Sequence, residues 1–494
     1  MKVLIANRNE IALRIQRACR ELGLSTVAVY TEPDRSAAHA RLADQAVNLG
    51  PKQAYLDINA ILDAARQTSA DAIHPGYGFL AENAEFARAV ENAGLVFVGP
   101  RPETIALLGD KLSSKQAARE AGVPVLPGSD GPLPLDVPVE LAQKIVFPVL
   151  VKATAGGGGR GIRLATCLEE LFNVIAAARK EAKAAFGDDT VYLESLVQEA
   201  RHIEVQILGD GEGKVLCFGE RECSIQRRRQ KLIEEAPAPR LSRKLRRDLC
   251  EAAVRLGSRL KYRSLGTVEF LLDASGKYHF IEVNPRIQVE HPVTEMVTGV
   301  DLVKEQLLLA MGEPLRMCQR DIRTQGVAIE ARVLAEDSEQ GFLPATGKII
   351  YLKEPGGPGV RVDSALYQGL NIGMDYDSLL AKVIASGKDR RTAIQRLERA
   401  LNEFQIGGLP TDLDFLKQII ESKPFRKGEV TTTYLDSFTP RPPEKKEDLQ
   451  RLLALAAALY IHSQRAVSQP IPQDRKLATR WMYAAWREQM TGAW

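Results

Sequence analysis

Thr154-Ala-Gly-Gly-Gly-Gly-Arg-Gly161 stands between two short apolar segments that begin at Val149 and Ile162, and its reading decides the fold. Four consecutive glycines cannot hold a helix and carry no side chain to pack. They make a pliant loop that presents backbone N–H groups, which suits phosphate. Gly156, Gly158 and Gly161 satisfy G-x-G-x-x-G only trivially. A dinucleotide or Walker loop opens a helix, whereas this one opens the strand Ile162-Arg-Leu-Ala165 and has no G-K-[ST] end. The stretch therefore reads as a hairpin flap over phosphates, with Lys152 on the preceding strand as a point charge.

A second stretch, Asn284-Pro-Arg-Ile-Gln-Val-Glu-His-Pro292, is bracketed by prolines that favour extended backbone. Extension alternates Asn284, Arg286, Gln288 and Glu290 onto one face, a polar ladder unlike a core strand. Upstream, Thr267-Val-Glu-Phe-Leu-Leu272 and Lys277-Tyr-His-Phe-Ile-Glu282 flank the turn Asp273-Ala-Ser-Gly276. A hairpin closing there sets Glu269 opposite Phe280, with Glu282 diagonal on the same face and Asn284 next along it. Two carboxylates and an amide oxygen near phosphates form the hard-oxygen set that Mg²⁺ takes. The basic run Gln226-Arg-Arg-Arg-Gln-Lys231 has no interleaved aromatics and meets Glu234-Glu235 at once, so a small anion suits it better than nucleic acid.

The chain of 494 residues is too long for one core and predicts about three domains. Its 66 Lys+Arg against 63 Asp+Glu leave a net charge of +3, which gives no general argument for nucleic acid or an acidic membrane. Six scattered cysteines without a CxxC pair fit free thiols in a reducing cytosol better than a disulfide framework. No run of 18 apolar residues and no basic, apolar leader before Lys2-Val-Leu-Ile-Ala6 are present, so a soluble cytoplasmic protein is expected. The first hundred residues alternate strand and helix, which predicts a doubly wound parallel sheet. The first turn, Asn7-Arg8-Asn9-Glu10, has no glycine, so NAD is not expected there. Thr439-Pro-Arg-Pro-Pro-Glu-Lys-Lys446 reads as a linker, followed by an amphipathic helix through Leu449, Leu452, Leu453, Ala456 and Tyr460 and a shorter one through Leu477, Trp481 and Trp486.

Several motifs in order, Lys2-Val-Leu-Ile-Ala-Asn-Arg8, His74-Pro-Gly-Tyr-Gly-Phe-Leu-Ala-Glu-Asn83, Gly109-Asp-Lys111, Glu220-Arg-Glu-Cys-Ser-Ile-Gln-Arg-Arg228, Glu234-Glu-Ala-Pro-Ala-Pro239 and Arg286-Ile-Gln-Val-Glu-His-Pro-Val-Thr-Glu295, resemble biotin carboxylase. That family is an ATP-grasp ligase, and the likeness runs to about residue 438. The resemblance implies an α/β architecture: a Rossmann-like domain at 1–110, an ATP-grasp domain at 111–330 with a mobile glycine-rich lid at about 130–200, and a mixed α+β domain at 331–438. A linker and helical tail occupy 439–494.

On that resemblance ATP is held by Lys111, Lys152, the Gly158-Gly159 backbone, Glu194, Ser195, Leu196, Val197, His202, Gln226 and Arg229, with Glu269 and Glu282 at its phosphates. Mg²⁺ or Mn²⁺ is held by Glu269, Glu282 and Asn284. Bicarbonate meets Lys231, Arg286, Gln288 and the Val289 backbone, with Glu290 as its general base, and biotin meets Arg361 and Tyr77. The implied reaction is ATP-dependent carboxylation of biotin through carboxyphosphate. No Ala-Met-Lys-Met biotinylation motif is present, so a biotin carboxyl carrier protein and a carboxyltransferase are expected as separate chains, with a homodimer as the family's habit.

The sequence departs from the family pattern at Asn9 (usually glycine), Ala155 (a flap glycine), Arg229 (usually histidine), and Ser195 and Leu196 (usually Lys-Tyr). Two competing readings are another carboxyphosphate-forming ATP-grasp ligase and a catalytically weak scaffolding paralogue. The final acyl acceptor is not encoded in these residues.

Overall fold

The computed structural model describes residues 1–129, 131–135, 145, 147–154, 162–441 and 447–467. The glycine run from Ala155 to Gly161, including Gly158 and Gly159, lies outside the described residues, as do Leu477, Trp481 and Trp486.

The chain begins with a five-stranded sheet: β1 (Lys2–Ile5), β2 (Ser25–Tyr30), β3 (Gln45–Asn48), β4 (Ala72–His74) and β5 (Val96–Phe97). Its order is β3-β2-β1-β4-β5 and every pairing is parallel. Strands buried on both faces read as continuous apolar runs, as Val3-Leu-Ile5 and Val27-Ala-Val29 do. Helix α1 (Asn9–Glu21) turns Ile11, Ile15 and Ala18 into this core at helical spacing. Asn9 takes φ +56°, the left-handed region that glycine occupies most easily and asparagine tolerates. The family's usual glycine thus has a backbone reason, and asparagine adds an Nδ2 donor to the Leu379 carbonyl at 3.1 Å.

Asp110 caps α2 (Lys111–Glu120) by accepting the Ser113 N–H, which places Lys111 at the first helical position. A small antiparallel sheet follows, β6 (Val149–Ala153) flanked by β7 (Ile162–Ala165) and β8 (Val191–Ser195), with α3 (Leu168–Phe186) packed on it. Gly128 bridges to Glu194 so closely that an added Cβ would stand 2.1 Å from the Leu193 carbonyl.

The central element is an eight-stranded antiparallel sheet. Its strands are β9 (Arg201–Asp210), β10 (Val215–Arg227), β11 (Gln230–Ala236), β12 (Arg263–Leu272), β13 (Tyr278–Asn284), β14 (Val327–Leu334), β15 (Val360–Ser364) and β16 (Leu379–Gly387). They run β13-β12-β9-β10-β11-β14-β16-β15. Period-two alternation splits the sheet by chemistry. Ile203, Val205 and Ile207 of β9, with Val268 and Phe270 of β12, join the core under α4 (Arg243–Arg259). The intervening residues His202, Glu204, Gln206, Thr267 and Glu269 are buried polar groups on the opposite face. A short helix, α5 (His291–Thr298), packs Val293 and Val297 against Ala328 of β14 and Ile384 of β16. Beyond it, β14 and β16 meet α6 (Arg390–Glu403) through Ile329, Val383, Leu397 and Leu401.

The expectation of free thiols is corrected at Cys217 and Cys250, which form a disulfide with Cα atoms 5.9 Å apart. Cys217 points from β10 into the layer that α4 covers, and Cys250 lies on that helix. Cys19, Cys167, Cys223 and Cys318 are free thiols. Beyond Pro440 the described residues belong to a separate unit, in which Glu447–Val467 is helical and Leu452, Leu453, Leu455, Leu459 and Tyr460 are exposed. Among the described residues no helix is long and apolar enough to cross a membrane.

Burial pushes the Glu235 carboxyl of β11 up to about 7 from the ordinary 4.5, against the pull of Arg390, whose Nε lies 2.8 Å away. The folded chain therefore holds this proton more tightly than the unfolded chain does. The stability it contributes is complete below about pH 4.5 and is lost as pH rises through about 7. Glu235→Gln removes one such group. Thermal melts at about pH 5 and about pH 8.5 should show a smaller drop in Tm for the variant than for the parent. An equal drop would mean that the ion pair with Arg390, not burial, governs Glu235.

Candidate active site

Thr267 of β12 pairs with Asn284 of β13, and Glu269 pairs directly with Glu282. The expectation of Glu269 opposite Phe280 is thus corrected. A register shift between Glu269 and Phe270 sets Phe270 opposite Phe280, so Ile281 is the extra residue of a bulge. The bulge brings the two carboxylates face to face rather than diagonally.

The extended ladder from Asn284 to Glu290 is also corrected. Pairing stops at Asn284 where Pro285 has no N–H to give. Glu290 takes φ −83°, ψ 9° immediately before α5 and is part of a turn. Asn284, Arg286, Gln288 and Glu290 nevertheless line one cavity of about 1280 Å³, because the turn carries the last two back over the sheet.

At the floor of this cavity three buried carboxylates surround one ammonium. Lys231 Nζ donates to Glu204 Oε2 at 2.5 Å, Glu290 Oε1 at 2.7 Å and Glu269 Oε1 at 2.9 Å. Burial alone would strip its proton, but Glu204, Glu269 and Glu290 hold the Lys231 pKa well above the usual range. Arg332 of β14 donates to Glu290 Oε2 at 2.8 Å. Burial would raise the Glu290 carboxyl, and the cations of Lys231, Arg332 and Arg221 outweigh it and hold it well below 4.5. Glu204, Glu269 and His202 lie close enough to suggest a metal site, as do Glu204, Cys223 and Glu290. The ammonium of Lys231 already bridges the three carboxylates of those sets, so neither group is a vacant cation cage.

The Glu269–Glu282 pair is different. Glu269 accepts from Asn284 Nδ2 and Gln288 Nε2, each at 2.9 Å, and lies 2.9 Å from His202 Nε2. Burial is overcome by Lys231 and His202, so Glu269 stays ionised. Glu282 lies 3.9 Å from Lys111, and burial together with the Glu269 charge raises its pKa. Opposed carboxylates and the Asn284 amide form an oxygen donor set whose repulsion a divalent cation relieves, so these residues fit Mg²⁺. Arg286 orients that amide, donating from Nη2 to Asn284 Oδ1 at 3.0 Å and lying 3.0 Å from Glu82 through Nε.

The same cavity is lined by Lys111, Lys152, Glu194, Ser195, Leu196, Val197, His202, Gln226 and Arg229. Gln226 Nε2 lies 2.7 Å from His202 Nδ1. Glu194 is gripped by Lys152 and also by Lys115, a buried side chain not anticipated from the sequence. Its signal was the i, i+4 spacing from Lys111 on α2, which sets the two lysines on one face. The basic run is divided by a tight turn. Arg228 and Arg229 take φ +51° and +66°, while Arg227 leaves to pair with Glu336 and stack 3.9 Å over Phe342. Thr432, Thr433 and Asp436, also unanticipated, complete the wall.

Of the two residues expected at biotin, Tyr77 lines the cavity and its hydroxyl donates to Glu10. Arg361 lies outside that lining. It forks onto Asp363 at 2.8 and 2.7 Å and reaches Glu295 at 2.7 Å. Val289 lines the cavity with its neighbours Gln288 and Glu290.

Three family descriptions match consecutive parts of the chain: the biotin carboxylase N-terminal domain at residues 1–105, the carbamoyl-phosphate synthase L chain ATP-binding domain at 110–318, and the biotin carboxylase C-terminal domain at 330–437. The biotin carboxylase of Nostoc sp. is 51% identical over 441 residues, covering 88% of this chain and 99% of that one. A pyruvate carboxylase subunit of Methanothermobacter thermautotrophicus is 45% identical over 488 residues, covering 94% of this chain and 99% of that one. Among solved structures, the biotin carboxylase domain dimer of Hydrogenobacter thermophilus 2-oxoglutarate carboxylase, in complex with MgADP, ADP and bicarbonate, has a TM-score of 0.85 at 48% identity. It covers 88% of this chain and 97% of that one. The Campylobacter jejuni biotin carboxylase, solved with a β,γ-ATP complex, has a TM-score of 0.86 at 43% identity and covers 88% and 98%. With the opposed carboxylates, the Lys231 cage and these likenesses over most of its length, this chain belongs to the biotin carboxylase family.

Proposed function

We propose that the cavity carries out the family's reaction, ATP- and Mg²⁺-dependent carboxylation of biotin by bicarbonate, with Glu290 as general base. The observation that carries this reading is the Lys231 cage beside the Glu269–Glu282 pair. The cations Lys231, Arg286 and Arg332 share one cavity with an oxygen set for a divalent cation.

Bicarbonate suits the cations of Lys231 and Arg286, with Gln288 and the Val289 backbone beside them. Its hydroxyl proton passes to Glu290 while its oxygen attacks the γ-phosphorus of ATP. The bond to the ADP oxygen breaks, and carboxyphosphate and ADP result. A carboxylate held far below the usual range is a poor base, but an arriving anion competes for Lys231 and adds negative charge beside Glu290. Both effects raise its pKa toward a useful value. Mg²⁺ at Glu269, Glu282 and Asn284 supplies charge neutralisation at the phosphates when bound.

Lys111, Lys152 and Arg229 hold the nucleotide's phosphates. The Glu194–Val197 segment at the end of β8, with Glu194 gripped by Lys152, and the His202–Gln226 pair shape the base and ribose end, with Gly158 and Gly159 as the flap. Carboxyphosphate splits into CO₂ and phosphate, the phosphate takes the N1′ proton of biotin, and N1′ attacks CO₂. Arg361 offsets the oxyanion on the ureido ring, and Tyr77 packs at its side. We assign residues 1–110, 111–330 and 331–438 to the three domains of this reaction. The carrier protein and carboxyltransferase act as separate chains on a cytoplasmic homodimer.

Glu290→Gln should lower bicarbonate-dependent ATP cleavage by on the order of 10²–10⁴ while nucleotide binding persists. Steady-state assays beside fluorescent-nucleotide titration test this, and parental turnover in the variant would remove Glu290 from its role. The metal reading has a separate test, because two carboxylates and one amide supply too few ligands for a cage. Calorimetry should find weak Mg²⁺ binding to the nucleotide-free protein and a marked gain once ADP is present. Tight binding without nucleotide would contradict it. Arg229→His should leave kcat within about tenfold and change chiefly the KM for ATP, as a contact made equally in ground and transition states does. A parent without biotin-stimulated ATPase, restored by Arg229→His, would favour the scaffolding reading.

A further inference from the structure

Glu194 of β8 carries two ammonium groups, one on each oxygen. Lys115 pairs with Oε1 and Lys152 with Oε2. The carboxylate is 2% exposed, and the lysines are nearly as deep, Lys115 at 4% and Lys152 at 12%. Strand register explains the arrangement. Lys152 of β6 stands opposite Tyr192 of β8, which makes Glu194 its diagonal neighbour on the same face. Lys115 comes from α2, and its ammonium lies 4.8 Å from the centre of the Tyr192 ring.

The two cations differ in what they can reach. Lys152 and Glu194 line the cavity, whereas Lys115 lies outside its lining. Lys115 therefore meets the carboxylate from behind the cavity wall, and Lys152 meets it from the cavity side. A buried carboxylate needs a counter-charge at all times, because an unpaired one in a dry interior is strongly disfavoured. With Lys115 on one oxygen that need is met whatever Lys152 does. Were Lys152 the sole partner, an arriving phosphate would draw it away only by leaving a bare buried charge. Two ammonium groups on one carboxylate also leave a positive excess, and the side that faces the cavity is the side where a phosphate can meet it.

We propose that Lys115 is a positioning residue for the nucleotide: it neutralises Glu194 from outside the cavity and so leaves the charge of Lys152 available to the phosphates. The inference rests on the assignment of Lys152 to those phosphates. Lys115 acts only through Glu194 and Lys152. Its removal therefore weakens the nucleotide and leaves bicarbonate, which meets Lys231 and Arg286, nearly untouched.

The test uses the full chain and the binding of MgADP, read by calorimetry. Lys115→Met keeps much of the stem and removes the charge. The Kd for MgADP should rise about tenfold, while the KM for bicarbonate stays within about twofold. An unchanged Kd overturns the proposal, and so does an equal rise in both constants. Rescue separates positioning from mere support. Glu194→Gln removes the carboxylate that would otherwise capture Lys152, so adding Lys115→Met to it should leave the Kd within about threefold of that of Glu194→Gln alone. A loss of about tenfold that persists in the Glu194→Gln background overturns the proposal, because a structural lysine matters with or without the carboxylate. If Lys115→Met does not fold, Lys115→Gln takes its place, keeping a donor for Glu194 without the charge. Its Kd should rise several-fold, and an unchanged value overturns the proposal. Lys152→Met separates these outcomes from failure of the underlying assignment. Weakened MgADP binding there keeps the assignment and leaves Lys115 to be judged by its own variants, whereas parental affinity removes the assignment and the proposal with it.

Discussion

One buried guanidinium holds the site together. Arg221 of β10 is wholly inaccessible, and each of its five N–H donors has an acceptor. Nε donates to Glu204, Nη1 to Gln206 at 2.8 Å and Thr294 at 3.0 Å, and Nη2 to Gln288 at 2.8 Å and Thr267 at 3.2 Å. The partners come from β9, β12, the turn before His291 and the helix after it. A guanidinium taken out of water is tolerable only when it is paired in this way. The arrangement fixes the turn that carries Gln288 and Glu290 against the sheet that carries Glu204 and Glu269. Catalytic geometry here is a by-product of satisfying one desolvated cation.

The same constraint propagates outward through shared carboxylates. Glu204 receives Arg221 on one oxygen and Lys231 on the other. Lys231 then reaches Glu269 and Glu290, and Glu269 reaches Asn284 and Gln288, which returns to Arg221. In a closed ring of this kind each member orients two others, so removing one leaves uncompensated charge in a dry interior. Such a ring is poised rather than inert.

Much of this was legible in the sequence, and the reasons differ by element. Parallel strands showed as uninterrupted apolar runs such as Val3-Leu-Ile5. The Thr267–Leu272 hairpin showed as alternation about a turn, with Glu269 and Glu282 as polar interruptions. The bulge at Ile281 did not show, because an extra residue in one strand leaves no mark on composition or on the period of either strand alone. The turn at Glu290 was hidden for a related reason, since Pro285 and Pro292 constrain their own neighbours and not the residues midway between. Arg221 was beyond reach for another cause. A charged residue on a strand or helix reads as solvent-facing until its partners are known. Those of Arg221 lie as far as 73 positions away, at Thr294. The Cys217–Cys250 pair depended likewise on how β10 meets α4.

Four departures from the family pattern, Asn9, Ser195, Leu196 and Arg229, lie among the described residues, at positions whose main chain is constrained. Asn9 and Arg229 both sit at positive φ, at 56° and 66°. At Asn9 the demand is on the backbone, which asparagine meets and then uses its amide to reach the Leu379 carbonyl. Arg229 occupies a two-residue left-handed turn with Arg228, a strained choice for long side chains that the β10–β11 pairing on either side sustains. Ser195 and Leu196 end a strand whose main chain is fixed independently, by the Ser195 N–H to Pro127 and the Leu196 N–H to Pro148. Their side chains are therefore free to change without moving the strand. By contrast Lys231, Glu269, Glu290 and Arg286 each carry more than one polar contact through their own side chains. The described departures, Asn9, Ser195, Leu196 and Arg229, supply none of the hydrogen bonds that close the ring of charges around Lys231 and Glu269.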